Sequence, residues 1–197
     1  MSNPEPNPPV PRSAFAPHLK PGRQGASGGD AVTLTEIRRQ MVTVQARRGR
    51  SAALEGSPPP RRAATDGAAT IYAIAPETWL VAAPTSDRGF IAGITETVGQ
   101  SAAVADQSHG KATLRVSGVR VRDVLDKLCR LDLHPKAFTP GSGGTTEIAH
   151  VAVLLARADD GAAGSVPVFD LIIPSTFAIH VLEAVETAAR ECGVVVA

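Results

Sequence analysis

Asp106-Gln107-Ser108-His109-Gly110 places a carboxylate, a hydroxyl and an imidazole within four residues. An Asp that orients a His beside a Ser has the composition of a proton relay for nucleophilic catalysis. Asp and His three residues apart in a turn can touch. The same five residues also compose a polar turn whose Asp and Ser side chains bond nearby backbone. No G-x-S-x-G elbow or oxyanion signature accompanies Ser108, so the segment reads as a turn. Cys129, Asp132 and His134 form a second cluster, spanning six residues. Zinc sites generally take two closely spaced ligand pairs, and only one such group is present. Cys129 falls one residue past the last apolar position of a helical stripe, so the segment reads as a helix end and a turn fixed by His134-Pro135.

Other candidates yield similarly. Gly141-Ser142-Gly143-Gly144 lacks the Lys-Ser/Thr of a phosphate loop and precedes a strand, so no helix dipole would face an anion. No G-x-G-x-x-G follows a strand, and no dinucleotide site is indicated. His150 is expected inside an apolar strand, on the face of Ile148, Ala152 and Leu154, in a structural or interface role. His180 falls on the last helix beside an inner-face valine. Trp79, the single tryptophan, opens an apolar strand and should anchor a core.

These residues sit on recognisable elements. Alternation predicts strands at 41–46, 71–75 and 79–83, the last two joined as a hairpin through Pro76-Glu77-Thr78. A short helix is expected near 51–55. Thr85 or Ser86 should cap a helix that turns Phe90, Ile91, Ile94 and Val98 inward, and a strand returns at 102–105. In the second half, Ala112, Leu114 and Val116 alternate with Lys111, Thr113, Arg115 and Ser117. Ser117 should cap the next helix, whose stripe is Val121, Val124, Leu125 and Leu128. A polar connection (132–145) leads to a buried strand at 148–156. A turn at Asp159-Asp160-Gly161 precedes a strand at 168–173. Ser175 should cap the last helix, with Ala178, Val181, Leu182, Val185 and Ala189 inward. Gly193 stops that helix before a closing strand, Val194–Val196.

Each half therefore reads strand–helix–strand–strand–helix–strand. The implied class is α+β, built from duplicated ferredoxin-like (βαββαβ) units with antiparallel sheets. Ala82–Ser86 (AAPTS) and Ile172–Thr176 (IIPST) repeat the same strand-to-helix junction. Residues 1–31 are rich in Pro and Gly and read as a disordered tail. Residues 32–107 form the first unit, interrupted by a Pro/Arg-rich linker at 56–69, and 108–197 form the second. The net charge of +1 and the scattered arginines do not support nucleic-acid binding. No apolar run approaches the ~20 residues of a membrane span, and the N-terminal residues lack the basic-then-apolar layout expected of a signal peptide. Two distant cysteines read as reduced thiols of a cytoplasmic protein.

Several short motifs recur in a fixed order. They are W-L-V-x-A-P from Trp79, D-x-S-H from Asp106, L-R-V-S-G from Leu114, L-D-L-H-P from Leu131 and A-F-x-P-G from Ala137. The strand IAHVAVLL (148–155) and the segment FDLIIPSTFA (169–178) complete the set. In this order the chain resembles the gamma subunit of heterotetrameric sarcosine oxidase over roughly 32–193. It departs at Leu128 and Arg130, where glycine and proline would be typical, and in the 56–69 linker.

The resemblance implies an aminomethyltransferase-like (glycine-cleavage T protein) fold and a non-catalytic subunit acting in assembly. The complex demethylates sarcosine oxidatively to glycine, giving hydrogen peroxide and formaldehyde or methylene-tetrahydrofolate. It implies alpha, beta and delta subunits as partners, chiefly alpha. FAD, FMN, NAD, zinc and tetrahydrofolate are expected in those partners and none in this chain. Asp106, Ser108, His109, Asp132, His134 and Phe138 become interface or turn-defining residues. The alternatives are the corresponding subunit of an N-methylglutamate dehydrogenase complex, or a stand-alone folate-binding protein with Asp106 on the folate side. A docking subunit should also expose more apolar surface than an ordinary monomer.

Overall fold

The computed structural model describes residues 12–16, 18–26, 30–50, 54, 57–66, 68–87, 89–158 and 166–197. In chain order the elements begin with strands β1 (Gly22–Gln24), β2 (Val32–Ile37) and β3 (Arg39–Ala46). Strands β4 (Ala63–Asp66), β5 (Ala69–Ala75) and β6 (Thr78–Pro84) lead into helix α1 (Phe90–Val98) and strand β7 (Ala102–Asp106). The second half runs β8 (Lys111–Ser117), α2 (Val121–Asp126), β9 (Gly143–Ile148), β10 (Val151–Arg157) and β11 (Val168–Pro174). A 3-10 turn (Ser175–Phe177), α3 (Ala178–Ala189) and β12 (Val194–Val196) close the chain. The expected helix at 51–55 and the turn at 159–161 lie outside the described residues, except Leu54, which carries no helix.

Two sheets result. One has the order β1-β12-β2-β8-β11-β10-β9, the other β4-β5-β6-β3-β7. Every neighbouring pair is antiparallel except β12 and β2. The fold is α+β with antiparallel sheets, as expected.

The alternation in each strand decides which layer a side chain enters. On one face of the large sheet, Leu114, Val116, Phe169 and Leu171 pack against Val121 and Leu125 of α2 and Val181 and Val185 of α3. On the outer face of the small sheet, Val42, Val44, Trp79 and Val81 pack against Phe90 and Val98 of α1. The remaining faces meet: Met41, Tyr72, Leu80 and Ala82 lie against Leu154, Ala156 and Ile172. The layers therefore run helix, sheet, sheet, helix. Among the described residues no helix is long and apolar enough to cross a membrane.

Four expectations need correction. The tail boundary at 31 lies too far along the chain. Phe15 is fully buried in the large core, and β1 pairs with β12. This packing requires Gly193, whose φ is +82° and where a Cβ would lie 2.4 Å from Ala26 O.

The single strand expected over 148–156 is instead a hairpin. Ala149 and His150 both adopt positive φ (49° and 65°), and Ile148 pairs with Val151. That is the two-residue connection that matches strand twist. His150 is consequently not on a strand face but at the hairpin tip, its side chain 97% exposed.

Hydroxyl caps are absent from the three α-helices among the described residues. Asp87 Oδ1 instead accepts the Gly89 N–H ahead of α1, at 3.1 Å. The polar connection is also shorter than expected, because β9 begins at Gly143.

Candidate functional site

Asp106 ends β7, and its Oδ1 accepts the Ser108 N–H at 2.8 Å, closing an Asx turn. Ser108 Oγ accepts the Met41 N–H at 3.0 Å, and the Gln107 N–H donates to Met41 O at 2.7 Å. Both bonds carry the β7–β3 pairing past its last pair, Val42 and Asp106. From the other side, Ser175 Oγ donates to His109 O at 2.9 Å, and the Ser175 N–H donates to Gly110 O at 3.0 Å. The turn is thus clamped between β3 of the small sheet and the end of β11 in the large one. The Ser108 backbone N–H, then its hydroxyl, hold the Asp106 carboxyl below the usual carboxylate range, and His109 adds a smaller attraction. Neither carboxylate nor hydroxyl is bonded to the His109 ring among the described residues, so the relay geometry is not made.

The second cluster lies apart, on the helix side of the large sheet. Asp132 Oδ1 accepts the His134 N–H at 2.9 Å, and His134 Nδ1 accepts the Lys136 N–H at 3.2 Å. His134 O receives the N–H groups of Ala137 and Phe138. Phe138 is buried and stacks on Phe169 with centroids 6.1 Å apart, and the Arg122 guanidinium covers the other ring at 5.7 Å. Burial pushes the Cys129 thiol up, away from the thiolate a metal would need. No group of three or more metal-ligating side chains occurs among the described residues.

Between the sheets lie groups that sequence reading passed over. Arg115 Nε and Nη2 donate to Asp170 Oδ1 and Oδ2 at 2.7 and 2.9 Å. Arg39, from the other sheet, approaches Asp170 at 3.7 Å and bonds Thr70 at 3.4 Å. Burial, then the Asp170 charge, raises the neighbouring Tyr72 phenol above its ordinary value. The available signal was an Asp inside the apolar run 168–173, since a charge so placed must find a partner.

Beside this layer a cleft of about 570 Å³ opens, lined in part by Asp106, Ser108 and His109. Ile37, Met41 and Ile91 supply apolar wall, and Arg12, Arg38 and Lys111 supply cations. Thr113 also lines it; the residue is 2% exposed and its Oγ1 has no hydrogen-bond partner among the described residues. A buried hydroxyl left so costs about 1–3 kcal/mol.

The layered fold places the chain in a known class. It superposes on the glycine cleavage system aminomethyltransferase T from Bartonella henselae with a TM-score of 0.60 at 13% identity, covering 85% of this chain and 48% of that one. That likeness concerns the fold alone. A chain of heterotetrameric sarcosine oxidase from Corynebacterium sp. U-96, solved in complex with pyrrole 2-carboxylate, matches with a TM-score of 0.72 at 25% identity over 85% of this chain and 88% of that one.

Sequence comparison narrows the class. The model for the sarcosine oxidase, gamma subunit family matches residues 58–181. The sarcosine oxidase subunit gamma of Arthrobacter sp. is 31% identical over 159 residues, 74% of this chain and 77% of its own length. That of Corynebacterium sp. (strain P-1) is 34% identical over 95 residues, 47% of this chain and 45% of its own. The chain belongs to the sarcosine oxidase gamma subunit family.

Proposed function

We propose that this chain is an accessory subunit of a heterotetrameric sarcosine oxidase and acts through assembly, not through chemistry of its own. The observation that carries this reading is the fate of the Asp106–Gly110 turn. Its carboxylate and hydroxyl are bonded to backbone groups and join two sheets, so they define a shape. Asp132, His134 and Phe138 define a second turn in the same manner. Family membership supports the role. The finer expectations are alpha, beta and delta partners, chiefly alpha, in the cytoplasm. Those partners would carry FAD, FMN, NAD, zinc and tetrahydrofolate, and the complex would demethylate sarcosine to glycine. Val119, Val166 and Phe177 are large apolar side chains left exposed, and they are the candidate contacts.

The strand orders also favour a duplicated ferredoxin-like plan. In the small sheet, β5-β6-β3-β7 follows the order second, third, first, fourth, with α1 between the third and fourth strands. In the large sheet, β10-β11-β8 and β12 repeat it, with α3 in the equivalent place and β2 wedged between β8 and β12. The units are then 32–107 and 108–197, with β2 lent by the first to the sheet of the second.

Co-expression of the complex with and without this chain tests the assembly role. Omission should abolish the intact heterotetramer on size-exclusion chromatography and lower its flavin content. Normal assembly and full flavin loading without the chain would refute the proposal.

A further inference from the structure

We propose that the cleft between the two sheets binds a small organic carboxylate, held by Arg12 and Lys111 and by the Thr113 hydroxyl. The charges point to an anion. Four cations line the cleft, Arg12, Arg38, Arg39 and Lys111, against two acids, Glu36 and Asp106, for an excess of two. Arg39 is already turned to Asp170, and Arg38 to Glu36 at 3.7 Å. Asp106 is turned to the Ser108 N–H. Arg12 and Lys111 are left without a carboxylate partner among the described residues.

Thr113 supplies the second observation. It stands on the inter-sheet face of β8, opposite Ile37 of β2 and Ile172 of β11 in the strand register. Its Oγ1 is buried and has no hydrogen-bond partner among the described residues, and the residue lines the cleft. Native buried hydroxyls are overwhelmingly satisfied, so an orphan on a residue that lines a cleft marks where a polar ligand atom belongs. Ile37 and Met41 offer apolar wall. The site therefore fits a molecule with a carboxylate, a flat or aliphatic body and a distal hydroxyl or carbonyl. An inorganic anion would use only the cations.

The test titrates the full chain with 4-hydroxybenzoate, with sulfate as the anion control, following backbone amides by NMR. Saturable shifts at Arg38, Lys111 and Thr113 are expected, with the organic acid at least about tenfold tighter than sulfate. Lys111→Gln should weaken binding about tenfold, the order expected for a charge-assisted bond. Thr113→Val should weaken 4-hydroxybenzoate severalfold while the melting temperature of the free chain stays level or rises, because an unsatisfied hydroxyl is removed. Thr113→Ser should retain binding. The proposal fails if no response saturates below about 10 mM, if sulfate binds as well, or if both variants bind like the parent chain. It also fails if only an acidic peptide, and neither free anion, shifts these amides, which would assign the cleft to a protein partner. The inference does not depend on assembly into the complex.

Discussion

Ser108 stands where two roles make opposite predictions. As a nucleophile it would be dispensable for folding and essential for turnover. As built, its Oγ accepts the N–H of Met41, a residue only 1% exposed, at 3.0 Å. Ser108→Ala leaves that donor without a partner, which should lower stability by about 1–3 kcal/mol. Urea denaturation should show the midpoint falling with the slope unchanged. Sarcosine-dependent oxygen uptake by the reconstituted complex should be unaltered wherever the variant is folded. A collapse of turnover at full stability would restore the catalytic role. The turn itself was legible, because Asp, Ser and Gly in that order favour local side-chain bonds. Its anchor was not, because Met41 lies 67 residues away in the sequence. Thr113 was hidden for a related reason. Alternation correctly put it opposite Leu114, but could not tell that a second sheet would cover that face.

The β9–β10 hairpin carries the same lesson for elements. Ile148–Ala156 contains neither Gly, Pro, Asn nor Asp, so composition describes one continuous buried strand. Tertiary context bends it at Ala149-His150. The Ile148–Val151 pairing puts Ile148, Val153 and Leu155 in the helix-side core and leaves Leu154 and Ala156 to the inter-sheet layer. His180 Nε2, 3.0 Å from Ala149 O, steadies the bend from α3. Two residues with side chains held at positive φ are costly, so the bend stores a gain that a better turn sequence should release. Ala149→Asn with His150→Gly is expected to raise stability by about 1–2 kcal/mol in the same urea titration. The His150–Glu147 pair lost in the exchange is fully exposed on one side and should contribute little. A decrease in stability would mean that the bend is set by other contacts. By contrast, β3, β5, β6 and β8 emerged where alternation put them, because each has one face on helices and the other on the opposing sheet.

At the scale of the molecule, what must be explained is how two sheets from different parts of the chain hold one arrangement. The apolar layer of Met41, Leu80 and Ala82 against Leu154 and Ile172 supplies contact but little direction, since such surfaces can slide. Asp170 supplies direction. Its side chain is 3% exposed and sits in the fork of Arg115, its neighbour on β8, while Arg39 reaches it from β3 across the layer. Asp170→Ala would strand both guanidiniums. Arg115 is 31% and Arg39 18% exposed, so water can partly replace the carboxylate. The expected loss is therefore about 2–4 kcal/mol, toward the lower end for a broken buried pair. Most of it should come from Arg115, whose bonds are short and bidentate. A double-mutant cycle isolates the part that spans the sheets. Coupling between Asp170→Ala and Arg39→Met should be favourable, at about 0.5–1 kcal/mol, because the 3.7 Å contact lacks a direct hydrogen bond. Coupling indistinguishable from zero would leave the apolar layer and the clamped Asp106–Gly110 turn to register the sheets. In that event Ile172→Ala should loosen the cleft amides in hydrogen exchange more than Asp170→Ala does.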